Sequence, residues 1–327
     1  MELCLYDGDH GYYSSNIRGI GSTGDFSTSA TLSSQLGRSL AAWISACPGI
    51  NDQLIELGAG TGELARATRN ALRGPSAFTA AGLLRRVRRK SHRYNIVERS
   101  PSLREAQQKT LGRQARWHNS LEEALLQANG KALIFSNELV DAFPVRVFRN
   151  DDPWSELFLS RRESAICECW QPAEALPSST AFAGPWADGQ VVEVHESYHQ
   201  WLQKSLSGWK EGQILTIDYG GSSREIYQRR PEGTRRAYYH HERLTGQDLY
   251  RLPGRQDLTA DVNFDDLIAW GEEMGLHTVK LTTQEDWLKA FRADPAMAGY
   301  LTSPYGAGEA FKVLLQEKTT GPAQPGF

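Results

Sequence analysis

The chain has 327 residues, of which 40% are hydrophobic and 23% are charged, and its net charge is −3. This composition can fill a sizeable core, and it excludes a surface that binds nucleic acid through bulk positive charge. No apolar run approaches the roughly 18 residues of a membrane span, and the first residues lack the basic start and apolar core of a signal peptide. The cysteines (Cys4, Cys47, Cys167 and Cys169) do not form a disulfide framework or a metal knuckle. We therefore predict a cytoplasmic protein with no nucleic-acid or membrane partner.

The N-terminal half of the chain alternates predicted helices and strands. In chain order these are a helix over 32–46, a strand over 53–57, a helix over 63–72, a strand over 94–98, a helix that starts at Ser100-Pro101, and strands over 115–118 and 132–136. Most of these strands are near-continuous apolar runs, which is typical of a parallel sheet with helices on both faces. The sequence therefore predicts an α/β fold.

The C-terminal half departs from this rhythm. Residues 145–170 alternate polar and apolar side chains around an Asn-Asp-Asp-Pro turn, which predicts an inserted β hairpin or meander over 142–187. After a strand over 212–221, residues 221–265 carry many Arg, His, Tyr and Gly residues without an apolar period, so we expect an inserted polar region on the substrate side. The last predicted elements are a helix over 263–275, strands over 276–284 and 309–318 that form an antiparallel edge, and a disordered tail over 318–327.

A glycine turn follows the first predicted strand directly. Gly58, Gly60 and Gly62 let a ligand approach the backbone, and the helix that follows offers unpaired amide groups. The next strand ends on Glu98, where a carboxylate can accept hydrogen bonds from both hydroxyls of a ribose. Glu63 stands where a dinucleotide fingerprint has its third small residue, and it would repel a pyrophosphate. The turn therefore indicates an adenosine without phosphates and argues against an NAD-dependent dehydrogenase.

The pattern E-x-G-x-G-x-G, followed by an acid after the second strand, resembles class I methyltransferases that bind S-adenosyl-L-methionine. Further segments narrow the resemblance: LYDGDHGYYS, GDFSTSATLSSQLG, YNIVERSPSLREAQ, SNELVDAFPVR, LTIDYGG, RRAYYHHE, PGRQDLTADVNF and GEEMGL. In this order they look like the MidA-like family, which includes bacterial proteins and the mitochondrial methyltransferase linked to complex I assembly. The resemblance runs from about residue 3 to residue 315.

This resemblance implies a Rossmann-like class I methyltransferase sheet, mostly parallel with an antiparallel last strand, in a single domain over 1–327. It implies a lid and helix over 1–50 and S-adenosyl-L-methionine as the cofactor. Carried onto this sequence, the family's cofactor-binding positions are Gly24, Asp25, Phe26 and Thr28 of the lid, Glu56, Gly58, Ala59, Gly60, Thr61 and Gly62 of the turn, Glu98, Ser120, Leu121 and Asn137. Ala30 and Thr31 stand where the family has Pro and Glu, which puts a lid or substrate contact in doubt.

Acidic residues lie where two predicted strands end, which is where open α/β sheets bind their ligands. Glu138 and Asp141 follow one strand, and Asp218 and Tyr219 end the next. We predict these four as catalytic, because carboxylates can bind and orient a protonated guanidinium. The alternative is that Asn137 caps the following helix, that Glu138 is solvated, and that Asp218 and Tyr219 only shape a turn.

The leading functional hypothesis is methyl transfer to a protein acceptor, by resemblance an arginine nitrogen. A carboxylate or hydroxyl of a small molecule is the alternative acceptor, and a cofactor-binding assembly factor without turnover is the alternative class. The neighbours His240 and His241 are poorly spaced as metal ligands, so we predict no metal. The sequence does not indicate an oligomeric state.

Overall fold

The computed structural model describes residues 1–17, 34–47, 49–50, 52–74, 92–163, 165–240, 242–291, 299–303 and 306–319. The predicted lid residues Gly24, Asp25, Phe26 and Thr28, together with Ala30, Thr31, His241 and residues 320–327, lie outside these ranges. The chain separates into two compact units. The first unit comprises Met1–Arg18, Glu138–Lys204 and Asp218–Met274, and the second comprises Gly19–Asn137, Ser205–Ile217 and Gly275–Phe327. The single-domain organisation stays a prediction.

The strands of the described residues are β1 (Gln53–Leu57), β2 (Arg93–Val97), β3 (Arg116–His118), β4 (Lys131–Asn137), β5 (Arg146–Arg149), β6 (Ser155–Arg162), β7 (Ala165–Pro172), β8 (Val191–Val194), β9 (Glu211–Gly221), β10 (Arg236–Tyr239), β11 (Glu242–Leu244), β12 (Asp257–Thr259), β13 (Val262–Asn263), β14 (His277–Thr283) and β15 (Phe311–Lys318). The α-helices are α1 (Glu2–Tyr6), α2 (Gln35–Ala46), α3 (Glu63–Arg73), α4 (Pro101–Leu111), α5 (Leu121–Gln127), α6 (Glu196–Ser205), α7 (Ser223–Tyr227), α8 (Phe264–Glu273), α9 (Gln284–Ala290) and α10 (Ala307–Ala310). A π-helical turn spans Tyr12–Asn16, and 3₁₀ turns span Gly112–Gln114, Val140–Ala142, Thr180–Ala183, Leu206–Gly208, Gly246–Tyr250 and Gly299–Thr302.

The second unit contains a sheet with the strand order β14-β15-β9-β4-β1-β2-β3. β1 pairs in parallel with β2 and β4, β2 with β3, and β4 with β9, whereas β14 pairs antiparallel to β15. This arrangement confirms the predicted mostly parallel, Rossmann-like sheet with an antiparallel last strand. Three consecutive residues of β4, Leu133, Ile134 and Phe135, are fully buried, so both faces of this strand are covered.

Local sequence signals explain how the helices of this unit begin and pack. α4 starts with Pro101 behind the N-cap Ser100, whose hydroxyl accepts a hydrogen bond from the Leu103 N–H at 3.3 Å. α2 turns its apolar face into the core, where the Trp43 ring lies edge-on to Phe135 at 6.4 Å between centroids. These elements fix the N-terminal strands and, with them, the turns at their carboxyl ends.

The first unit contains two smaller antiparallel sheets. The predicted insertion over 142–187 supplies β5, β6 and β7 of a four-stranded sheet with the order β7-β6-β5-β8, to which β8 adds from beyond the predicted boundary. The insertion over 221–265 supplies a three-stranded sheet with the order β11-β10-β12, and β13 pairs with the last residues of β9. The sequence did not indicate β10 to β13 because strands of two to four residues are too short to establish a period.

Within the described ranges, no helix is long and apolar enough to cross a membrane.

Candidate cofactor and acceptor sites

The glycine turn of the second unit leaves β1 and enters α3 in a backbone conformation that requires glycine. Gly60 and Gly62 have φ of 52° and 84°, in the left-handed region that L side chains rarely adopt. The Gly58 N–H donates to the Val97 carbonyl at 3.1 Å, which ties the turn to the end of β2. Among the described residues no side chain caps the N-terminus of α3, so its first amide groups are candidates for binding a ligand.

Glu98 lies directly after β2 and is nearly enclosed, with 7% of its surface exposed. One carboxylate oxygen accepts the Ser100 N–H at 2.8 Å, and the other accepts the Gln107 side-chain amide at 2.9 Å. Burial raises the pKa of Glu98, and these hydrogen bonds oppose that rise. The lone pairs that these donors leave free point to where hydroxyl groups could be accepted.

The donors and acceptors of this turn fit S-adenosyl-L-methionine better than a dinucleotide. Glu98 offers acceptors for the hydroxyls of a ribose, and the left-handed glycines allow close approach of the backbone. Glu63, the first residue of α3, pairs with Arg66 and adds negative charge where a pyrophosphate would bind. When bound, this cofactor supplies an electrophilic methyl group on a sulfonium.

Glu56, predicted among the cofactor-binding residues, is buried at the end of β1, and its contact with a cofactor stays a prediction. It is 2% exposed, and its Oε2 accepts the Tyr94 hydroxyl at 2.6 Å. Burial raises the pKa of Glu56 to about 7, while the Tyr94 hydroxyl lowers it. This side chain joins β1 to β2 beneath the turn.

The remaining predicted cofactor residues have varied surroundings. Ala59 is buried in the glycine turn and Thr61 is half-buried. Ser120 is the N-cap of α5, where its hydroxyl accepts the Glu123 N–H at 3.2 Å, and Leu121 is fully buried behind it. Asn137 is the last residue of β4 and is half-buried. Contact of these residues with a cofactor stays a prediction.

In the first unit, Asp218 organises the turn that follows Glu138. Its Oδ2 accepts the backbone N–H groups of Leu139, Val140 and Asp141 at 3.1, 2.9 and 3.4 Å. Its Oδ1 accepts the Tyr219 N–H at 3.0 Å. Both carboxylate oxygens are thus engaged by the backbone. Burial, together with the negative charges of Asp141 and Glu138, raises the pKa of Asp218 well above its usual range.

The two carboxylate oxygens of Asp141 have different surroundings. Its Oδ2 accepts hydrogen bonds from the hydroxyls of Tyr219 and of Thr259, the latter at 2.8 Å. Its Oδ1 is buried and has no hydrogen-bond partner among the described residues. The side chain is 6% exposed, and burial raises its pKa, although both hydroxyls and the positive charge of Arg236 lower it. We call Asp141, Tyr219 and Thr259 the Asp141 cluster.

The surroundings of the Asp141 cluster include residues that the sequence did not place in the predicted site. The Arg236 guanidinium lies over the Tyr219 ring at 4.5 Å and pairs with Asp261 at 2.5 Å. Tyr13 donates to Asp257 at 2.8 Å, which brings the N-terminal GYY segment to the insertion. These residues lie far apart in the sequence and in no regular period, so pattern reasoning could not pair them.

Glu138 adopts φ of 52°, in the left-handed region that is unfavourable for residues with a side chain. Such a conformation typically costs about 1–3 kcal/mol, and residues that keep it cluster at functional sites. The side chain is half-buried. The position of Glu138 after the strand did not by itself predict this left-handed backbone conformation.

Over the part of the chain that the structure describes, no group of His, Cys, Asp and Glu side chains is arranged to hold a metal ion.

The parallel sheet, the glycine turn after β1 and the buried acid after β2 define a nucleoside-binding α/β protein. The model of a family described as S-adenosyl-L-methionine-dependent methyltransferases matches residues 35–282. The chain therefore belongs to this family of S-adenosyl-L-methionine-dependent methyltransferases, as the sequence predicted.

Solved structures agree with this assignment. The crystal structure of a Burkholderia thailandensis protein bound to S-adenosylhomocysteine matches with a TM-score of 0.83 and 27% identity, over 98% of this chain and 87% of that chain. A native crystal structure from the same organism matches with a TM-score of 0.79 and 26% identity, over the same shares of the two chains. S-adenosyl-L-methionine is accordingly the cofactor of this enzyme.

Two curated relatives carry more specific names. The mitochondrial protein arginine methyltransferase NDUFAF7 homolog of Caenorhabditis elegans is 25% identical over 79% of this chain and 63% of its own length. The mitochondrial protein arginine methyltransferase NDUFAF7 of Danio rerio is 28% identical over 90% of this chain and 72% of its own length. This chain thus spans less than two thirds of the nematode protein.

The cytoplasmic location predicted from the sequence is wrong in the light of these relatives, because both are mitochondrial proteins by name. The prediction relied on the absence of a leader and on scattered cysteines, and neither feature identifies a compartment.

Proposed function

We propose that this methyltransferase acts on a protein acceptor and that the accepting atom is an arginine nitrogen. The observation that carries the proposal is Asp141 Oδ1, a buried carboxylate oxygen without a hydrogen-bond partner among the described residues. A buried acceptor without a donor is costly, and a guanidinium N–H would satisfy it. The names of the two curated relatives support the same acceptor.

In this proposal, the residues of the second unit bind the cofactor and position its methyl group. Glu98 accepts the ribose hydroxyls, and the backbone of Gly58, Gly60 and Gly62 lies against the amino-acid end of the cofactor. Ala59 and Thr61 complete the turn. The family resemblance implies that Ser120, Leu121 and Asn137 supply the remaining cofactor contacts. It likewise implies a lid formed by Gly24, Asp25, Phe26 and Thr28, which lie outside the described residues. Methyl transfer is an in-line displacement, so positioning and exclusion of water supply most of the catalysis.

On the acceptor side, Asp141 carries the chemistry. A guanidinium is protonated at pH 7 and its lone pair is delocalised, so the enzyme must orient it. The nitrogen that gains the methyl group must also give one N–H proton to a base such as a carboxylate, while the bond between sulfur and the methyl group breaks. Asp141 Oδ1 accepts a guanidinium N–H, while Tyr219 and Thr259 hold Oδ2 in place. Glu138 supplies a second carboxylate on the same turn.

Asp218 acts in this proposal as a positioning residue, because both of its oxygens are engaged by backbone N–H groups. It fixes the turn that carries Glu138 and Asp141. Tyr219 likewise acts through Asp141, whose carboxylate it orients. The four residues predicted as catalytic therefore divide into two that contact the acceptor and two that hold them.

The test is methyl transfer from labelled cofactor to a lysate that is then separated into protein and small-molecule fractions. We expect label in the protein fraction, and acid hydrolysis should release it as methylated arginine. Asp141→Asn should lower this incorporation at least about tenfold, since a charged hydrogen bond is replaced by a neutral one. The matched control is Glu232→Gln, an exposed acid of the same unit, which should keep wild-type incorporation.

The alternatives give different results in the same assay. Label confined to the small-molecule fraction would replace the protein acceptor by a metabolite carboxylate or hydroxyl. Cofactor binding without any label transfer would favour the assembly factor without turnover.

A further inference from the structure

Gln107 on α4 is fully buried, and both the nitrogen and the oxygen of its side-chain amide form hydrogen bonds. The amide nitrogen donates to the Gly60 carbonyl and to Glu98 Oε2, both at 2.9 Å. The amide oxygen accepts the Trp117 indole N–H from β3 at 2.9 Å. One side chain thus joins the glycine turn, the acid after β2 and the third strand.

The orientation of this amide follows from the chemistry of its partners. An indole N–H only donates, so the amide oxygen must face Trp117. The two N–H groups then face Gly60 and Glu98, which both offer acceptors. The backbone of α4 also lies close to the glycine turn, because a Cβ added at Gly62 would lie 3.4 Å from the Gln107 Cα. The Trp117 donor therefore determines which atoms Gln107 presents to the cofactor turn.

The hydrogen bond from Gln107 restricts rotation of the Glu98 carboxylate. The Ser100 N–H holds Oε1 and the Gln107 amide holds Oε2, and the Arg99 backbone N–H also interacts with this carboxylate. Gln107 is the one of these donors that lies on α4 and comes from outside the loop after β2. A carboxylate with both oxygens fixed presents its remaining lone pairs in one direction, whereas one held at a single oxygen can rotate. Gln107 also restrains the Gly60 carbonyl, which belongs to the turn that must stay open to the ligand.

We infer that Gln107 is a positioning residue that gives the enzyme its selectivity for an intact ribose, by locking Glu98 against the glycine turn. This inference rests on the proposed role of Glu98 in cofactor binding. Gln107 acts through Glu98 and Gly60 and needs no contact with the cofactor. Replacement of Gln107 should therefore reduce the advantage of a ligand with ribose hydroxyls over one without them.

The experiment measures the dissociation constants of S-adenosylhomocysteine and of its 2′,3′-dideoxy analogue by calorimetry. The quantity of interest is the ratio of the analogue's Kd to that of S-adenosylhomocysteine. Hydrogen bonds to a buried carboxylate should make this ratio roughly 100 in the wild-type protein. Gln107→Met has a similar length and helix propensity, and we expect the ratio to fall to about 10 in this variant.

Two further variants complete the test. Gln108→Met changes the exposed neighbour on the same helix and should leave the ratio at its wild-type value. Trp117→Phe removes the donor that orients the amide while keeping an aromatic ring against the core, and should lower the ratio by about threefold even if Gln107→Met does not fold.

The possible failures are distinguishable. If wild-type protein binds S-adenosylhomocysteine but Gln107→Met weakens both ligands equally, the ratio stays constant and the inferred role of Gln107 is overturned while the proposed function stands. If wild-type protein binds neither ligand, the proposed function is overturned and the inference with it.

Discussion

Replacement of Asp218 by alanine tests whether this side chain holds the turn that carries Glu138 and Asp141. In Asp218→Ala the backbone N–H groups of Leu139, Val140 and Tyr219 lose acceptors at 2.9 to 3.1 Å. Hydrogen bonds to a charged group contribute about 1.5–3 kcal/mol each. The variant is also relieved of a buried charge beside Asp141 and Glu138, which offsets part of this loss. We therefore expect the free energy of unfolding to fall by about 3–5 kcal/mol.

The assay is urea unfolding followed by tryptophan fluorescence, with the slope of the transition checked for two-state behaviour. Glu232→Ala, an exposed acid in the same unit, serves as the control and should change the free energy of unfolding by less than about 0.5 kcal/mol. A loss below about 1 kcal/mol for Asp218→Ala would refute the reasoning, because it would mean that the backbone groups find other partners and that Asp218 is free for the acceptor.

Two further predictions concern the cofactor unit. Glu98→Gln places an amide N–H against the Ser100 or Gln107 donor, so calorimetry should show that S-adenosylhomocysteine binds at least about tenfold more weakly. The control Glu105→Gln changes an exposed acid and should keep the wild-type affinity. Equal affinities of Glu98→Gln and wild-type protein would exclude Glu98 from the site. Glu56 has its pKa raised from 4.5 to about 7 chiefly by burial, so its contribution to stability is fully present below the unfolded pKa and is lost as the pH rises through the folded pKa. Between pH 5 and pH 8 wild-type protein should lose about 3 kcal/mol relative to Glu56→Gln in parallel urea titrations, and parallel pH profiles of the two proteins would contradict the raised pKa.

The sequence was sufficient for the sheet and for the main cofactor motif. Apolar runs that alternate with helices indicate parallel strands, and the glycines before Glu63 lie in a turn that the structure shows in left-handed conformations. Both signals are local, because a strand, a turn and a helix are adjacent in the chain. Family resemblance added the predicted cofactor positions Ser120 and Leu121 and those of the lid, which no local pattern would have indicated.

The proposed acceptor site was harder to predict from the sequence, because its residues are distant along the chain. Asp141 accepts a hydrogen bond from Thr259 of the polar insertion. Asp218 accepts hydrogen bonds from backbone N–H groups of the turn after Glu138, and almost any residue type carries such a group. Asp218 therefore looks the same in the sequence whether it is free for a ligand or engaged by the backbone. Gln107 is similarly hidden, since it is one of two adjacent glutamines on a helix and only burial separates them.

Calorimetric titration of the wild-type protein with S-adenosylhomocysteine and with NAD tests the central claim most directly. The glycine turn, the buried Glu98 and the negative charge of Glu63 predict saturable binding of the sulfur nucleoside and no binding of NAD. Binding of NAD without binding of S-adenosylhomocysteine would contradict the methyltransferase account.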